Sequence, residues 1–312
     1  MLARIAQELF WLGRNLARAE STARLLDCVF AADLQGRPED PSAAHLGWDS
    51  LVHIMGGSRN GDAPSDRDAV LDALTRDTAN PASVVSCVAR AREGAQAVRD
   101  VISAEMWEAI NTTHLRLRDG DLASSDPRLH AGAYSIYQHV KERSALFWGL
   151  TARTMLRDEA SAFLSAGGRI ESGDMVLRML RVALPVGDTG DSADGQAIAL
   201  LQAVGGFQAY RRAVPAPAHA KPVARFLLFE RSYPDSVAAA VDAVNGALKT
   251  ADGAPRSSEP ILRLSRLSAD LEFRRSAESD ADLRVTCQEV QRELGLVDAD
   301  IAQRYFGGAR AA

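Results

Sequence analysis

The 312-residue sequence has three cysteines, Cys28, Cys87 and Cys287, and aromatic residues make up 6% of it. An odd number of widely spaced cysteines with no Cys-x-x-Cys argues against a disulfide framework or a thiolate metal site, and the cytoplasm is the expected location. Each cysteine lies in an apolar helical context and is expected to pack as a small hydrophobe. Long hydrophobic runs are also missing. No stretch approaches the ~18 apolar residues of a membrane span, and Arg4, Glu8, Arg14 and Arg18 interrupt any leader-like apolar region near the start. Positive charge is not in excess. Lys and Arg number 36 against 41 Asp and Glu, a net charge of −5, which is a poor electrostatic footprint for nucleic acid. Neither membrane nor nucleic acid is an expected partner. No useful length of alternating apolar and polar residues appears, so strands are not expected.

What remains reads as helix. Apolar content is 46% and charged content 25%, ordinary for a globular protein. The expected fold is an all-α multi-helix bundle forming one domain over residues 1–312. Residues 2–30 place Leu2, Ile5, Leu9, Leu12, Leu16, Ala19, Ala23, Leu26 and Phe30 at alternating three and four spacing. That is a long amphipathic helix or four heptads of coiled coil. Loops are expected over 33–44 and around GGSRNGDAPSD, with helices over 45–56 and 66–78. Asn80 and Pro81 predict a capped helix start, followed by a buried stripe through Val84, Val88, Ala91, Ala95, Val98 and Ile102. After a break near Ser103, further helices are expected from AEMWEAINTTHLRLRD and over 128–157, 159–184, 195–212, 220–229, 235–249, 259–275 and 280–306. The second and third of these read as nearly continuous.

The opening helix has an echo. LGRNLARAESTARLL (12–26) aligns without gaps on AGGRIESGDMVLRML (166–180), matching Gly13 with Gly167, Leu16 with Ile170, Glu20 with Asp174, Arg24 with Arg178 and Leu26 with Leu180. A duplicated unit with halves of about 1–150 and 151–312 follows, against the alternative of coincidence between two Ala/Arg-rich helices. Gly13, Ala17, Glu20 and Arg24 share one face, and so do Gly167, Glu171, Asp174 and Arg178. This candidate polar stripe (Glu20, Arg24, Glu171, Asp174, Arg178) would pair locally at four-residue spacing, adding little if exposed and much more if buried between helices. Trp11, Arg14 and Arg18 fall on another face and form a candidate partner surface.

A second cluster joins Arg92, Glu93 and Arg99 with Trp107 and Asn111. It would line a polar pocket for a carboxylate or phosphate, or else pair two helices. Tyr134, Tyr137 and Trp148 read as core or interface. The P-loop, Gly-x-Ser-x-Gly and His-Glu-x-x-His patterns are absent, as is the Glu-x-x-His of a di-metal bundle. No metal, nucleotide or other cofactor is expected, and no catalytic residue is assigned.

Four segments, LFWLGRNLARAESTARLLD, NPASVVSCVARAREGAQAVRDVISAEMWEAIN, FLSAGGRIESGDMVLRML and ARFLLFERSYPDSVAAAV, resemble in order those of the alpha-E family, named for an α-helical domain with a Glu-Arg motif. The resemblance spans residues 1 to about 245. Family members carry the Glu-Arg dipeptide in both related helices. Here the first copy is Ala17-Arg18 and the second Glu171-Ser172. The ARENAR pattern is AREGAQ, keeping Arg92 and Glu93 but placing Gly94 and Gln96 in the other positions, and Asp235 replaces the arginine of PRSV. Arg18 and Glu171 would still complete one pair if the helices pack side by side, although Arg18 lies off the shared stripe. The resemblance implies an accessory role beside circularly permuted ATP-grasp ligase-like and transglutaminase-like proteins in a peptide-modifying or amide-ligating system. An enzyme using Glu171, Asp174, Arg178 and Glu20, or a homo-oligomer built on the first helix, are the alternatives.

Overall fold

The structure, a computed structural model, describes residues 1–34, 46–56, 66–119, 130–183, 191–276 and 283–307. Among these residues are α1 (Ala3–Leu34), α2 (Trp48–Ile54), α3 (Arg67–Thr75), α4 (Val84–Ala97), α5 (Ala104–Asp119), α6 (His130–Thr154), α7 (Glu159–Ala183), α8 (Asp191–Ala203), α9 (Phe207–Ala213), α10 (Ala220–Phe229), α11 (Val237–Ala251), α12 (Glu259–Ser276) and α13 (Leu283–Tyr305), with no strand among the described residues. The fold is an all-α bundle. The expected loop over 33–44 lies almost wholly outside the described residues, as does most of GGSRNGDAPSD; Tyr134 lies in α6, but its side chain is outside the described set.

The two long helices form the centre. Each packs most extensively on the other; α4 and α6 complete the surroundings of α1, and α11 and α13 those of α7. The heptad-like stripe is therefore only part of what α1 buries. Leu9, Phe10, Leu12, Gly13, Asn15, Leu16, Ala17 and Ala19 are buried round its circumference, the pattern of a helix enclosed on all sides rather than a coiled-coil strand. Leu9, Leu12 and Leu26 are fully buried, each contributing about 1.5–3 kcal/mol by removal from water.

The long helices run in the same direction and cross at glycine. A Cβ on Gly13 would lie closer than 3.0 Å to the carbonyl oxygen of Leu164, and one on Gly167 would do the same to the carbonyl oxygen of Phe10. Gly167 is the counterpart of Gly13, and Leu164 that of Phe10 when the same offset of 154 is carried three residues back. The crossing is thus reciprocal, as a two-fold relation between duplicated helices requires. Other contacts repeat the relation. Ser83 and Ser236 cap α4 and α11, each accepting from the backbone N–H three residues on. Asp27 of α1 accepts from Lys141 of α6 at 2.5 Å, and the corresponding Arg181 of α7 donates to Gln291 of α13. The halves interleave. After α2, Gly56 reaches Arg178 of the other half; after α8, Gly205 reaches Arg24. Both glycines have positive φ, 93° and 69°, which lets the chain turn sharply beneath an arginine. One continuous apolar cluster runs through both halves.

Two helix boundaries differ from expectation, while α7 starts at Glu159 as expected. The α4 cap is Ser83, not Asn80; Asn80 instead accepts from Ala82 N–H in the preceding turn and donates to the carbonyl of Ala73. The turn before α7 is set by Asp158, whose carboxylate accepts from the N–H groups of Ala160 and Ser161. The expected helix over 195–212 is broken into α8 and α9 at Gly205, whose left-handed backbone cannot continue a right-handed helix.

Candidate functional site

At the crossing of α1 and α7, Glu171 is 1% exposed and held by two arginines from the facing helix. Arg18 Nε donates to Oε1 at 2.6 Å and its Nη2 to Oε2 at 2.9 Å, a fork on the carboxylate. Arg14 Nε donates to Oε2 at 2.9 Å and its Nη1 to Asp298 of α13 at 2.8 Å. The Arg14 guanidinium also lies 4.9 Å from the Trp11 ring centre, a cation–π arrangement. Burial by itself pushes the Glu171 pKa up, but the charges and hydrogen bonds of Arg14 and Arg18 outweigh it and bring the value down to about 2. For both arginines burial favours the neutral form, Glu171 outweighs it, and the pKa rises. The group is a permanently ionised clasp with both carboxylate oxygens occupied. Nearby Cys87 is buried and its thiol is pushed up to about 11, chiefly by desolvation.

The reciprocal position is different. At the offset of 154 residues, Arg18 corresponds to Ser172 and Glu171 to Ala17. The two positions that would hold a second clasp are therefore both short side chains. They border a cavity of about 500 Å³. Trp148 lies where the first clasp has Asp298, 150 residues on in the equivalent helix, and its ring packs on Gly168, the counterpart of Arg14. The remaining wall includes Glu20, Arg24, Met155, Leu156, Arg157, Arg169 and Asp235. Arg24 donates to Glu20 Oε1 from Nε and Nη2, and Arg169 Nη1 donates to Asp235 at 3.2 Å.

The residues expected from sequence are thus divided. Glu20 and Arg24 pair within α1 and face the cavity. Asp174 accepts from Arg178 Nε at 2.7 Å and from Gln291 of α13 at 2.8 Å, so the equivalent pair braces two helices. Glu171 leaves the stripe for the clasp. Arg14 and Arg18 do not form an open partner surface: their side chains are 11% and 19% exposed, and Trp11 is only partly exposed. The reason is the enclosure of α1, which a single-stripe helical wheel does not foresee. Arg92 donates to Asn111 at 2.8 Å, and Arg92 and Arg99 both lie over Trp107. This is a brace between α4 and α5, repeated by the Asn245 to Ser265 bond between α11 and α12. Glu93 is exposed and makes no bond in this brace. Tyr137 is buried and hydrogen-bonded to Thr75. Among the described residues no group of three His, Cys, Asp or Glu side chains gathers to hold a metal ion. Asp298, Arg157 and Arg169 were not expected from the sequence; the likeness of α6 to α13 at an offset of 150 (Val140 with Val290, Phe147 with Val297) is the signal that points to the first.

Two long helices joined at their crossing by a glutamate–arginine clasp form the centre of this all-α bundle. The chain belongs to the Alpha-E family, described as a predicted alpha-helical domain with a conserved ER motif, whose profile matches residues 1–306. It is also similar to the uncharacterized protein Rv2567 of Mycobacterium tuberculosis and the uncharacterized protein Mb2597 of Mycobacterium bovis, each 26% identical over 318 aligned residues. The match covers 96% of this chain and 35% of each relative, so the chain spans about a third of the length of the curated relatives it matches. No solved structure matches.

Proposed function

We propose that the protein is an accessory binding and scaffold component of an ATP-grasp amide-ligase system acting on peptides. The observation that carries this reading is the clasp. Glu171 is enclosed, ionised far below neutral pH and bonded through both oxygens. A general acid or base needs a pKa near the working pH and an accessible proton; Glu171 has neither, and it joins helices instead. The embedding of a similar unit in mycobacterial chains about three times as long supports a module that works beside other protein parts. The ligase and transglutaminase-like partners come from the family resemblance.

Co-expression with a circularly permuted ATP-grasp ligase-like protein tests the proposal. The two should co-purify and sediment as one species at micromolar concentration, and the ligase should lose peptide-directed turnover without its companion. Separate sedimentation with unchanged ligase turnover would overturn it.

A further inference from the structure

The cavity lies where the duplication would place a second glutamate–arginine clasp. Both members of that pair are missing together, as Ala17 and Ser172, while both members of the first are kept, as Arg18 and Glu171. Loss of only one member would have left an uncompensated buried charge. With neither member present the position carries no charge, and Trp148, packed on Gly168, fills only part of it. The result is a solvent-open cleft of about 500 Å³, within the size range of small-molecule sites.

The walls specify a ligand. Trp148, Met155 and Leu156 supply an apolar side. Three arginines, Arg24, Arg157 and Arg169, face two carboxylates, Glu20 and Asp235, and each carboxylate already accepts from an arginine. Arg157 is exposed and makes no hydrogen bond or ion pair among the described residues. Donors and positive charge are therefore in surplus beside an aromatic wall. We propose that this vacated motif site binds a carboxylate carried next to an apolar side chain, the chemistry shared by the C-terminal residue of a peptide and by a free N-acylated amino acid. The carboxylate meets the arginines and the side chain packs on Trp148. The inference holds whether or not the protein works beside a ligase.

Titration of the full chain with N-acetylleucine, its N-methylamide, a tetrapeptide ending in leucine and the same peptide amidated tests the site, read by tryptophan emission and ligand-observed NMR. The free acid is expected to saturate with a dissociation constant of about a millimolar or tighter, and the uncharged forms to bind at least about tenfold more weakly. Binding of the acid with or without the free-acid peptide supports the proposal and tells the two ligand sources apart. Ala17→Glu with Ser172→Arg refills the gap and should abolish binding. Arg157→Gln, at an exposed and unpaired position, should fold normally and weaken binding about tenfold, and Trp148→Phe should remove the emission response. Equal binding of acid and amide, no saturation by any free acid up to about 10 mM, unchanged affinity in Arg157→Gln, or undiminished binding in the refilled variant would each overturn it.

Discussion

Glutamine in place of Glu171 keeps the side chain's shape and removes its charge from between Arg14 and Arg18. Two enclosed guanidinium groups then lose their shared counter-ion, a change that costs about 3–5 kcal/mol when a buried pair is broken from one side. Asp298 remains on Arg14 at 2.8 Å, which favours the lower end. The titration of Glu171 leads to a similar figure. Its displacement from 4.5 to about 2 corresponds to about 3 kcal/mol of folding stability, at about 1.4 kcal/mol per tenfold change in proton affinity. Because the folded value is the lower one, this contribution is complete above the unfolded value of 4.5 and disappears as pH falls through about 2. Denaturant unfolding of wild type and Glu171→Gln from neutral to acid pH measures it. The stability gap should be about 3 kcal/mol and flat above about pH 5, then narrow steadily below about pH 4.5. A gap under about 1 kcal/mol at neutral pH, or one that stays constant down to about pH 3.5, would refute the clasp as the source of that stability.

Gly13→Ala and Gly167→Ala should each destabilise by about 3 kcal/mol or more, because the added methyl meets backbone that cannot give way. Gly149→Ala and Gly246→Ala, in open space on α6 and α11, should stabilise by about 0.5–1 kcal/mol in the same thermal melts. Cys28 and Cys87, whose thiols burial pushes up to about 11, should resist alkylation at pH 8 until the protein is unfolded; rapid labelling of the native state, followed by mass spectrometry, would contradict their enclosure. Residues 151–312 expressed alone should lack a cooperative melt, since α7 loses α1 and α2 and α8 loses α1. Mixing with residues 1–150 should restore one, and a stable isolated half would show that the interleaving is dispensable.

Helical periodicity carried most of the fold because it is a local property: spacing of three and four, serine and proline at starts, glycine at breaks. The fold class and the two long helices were readable. Boundaries failed where two local signals competed, as when Asn80 offered a cap but turned the preceding loop while Ser83 capped α4.

The candidate site divided along the same line. That Arg18 aligns with Ser172 and Glu171 with Ala17 is readable in the chain, since alignment needs only sequence order. The meeting of Arg18 with Glu171 is not, because a helical wheel describes one helix against an unspecified core. Packing of α1 against α7 and α13 put Arg14 and Arg18 mostly inside rather than on an open surface. The glycine crossing then brought residues 153 and 157 positions apart within hydrogen-bond reach. Charge pairing and cavity formation depend on distances across helices, so residue types and their alignment came from the sequence, whereas the filled clasp and its empty counterpart arose only when α1 and α7 packed together.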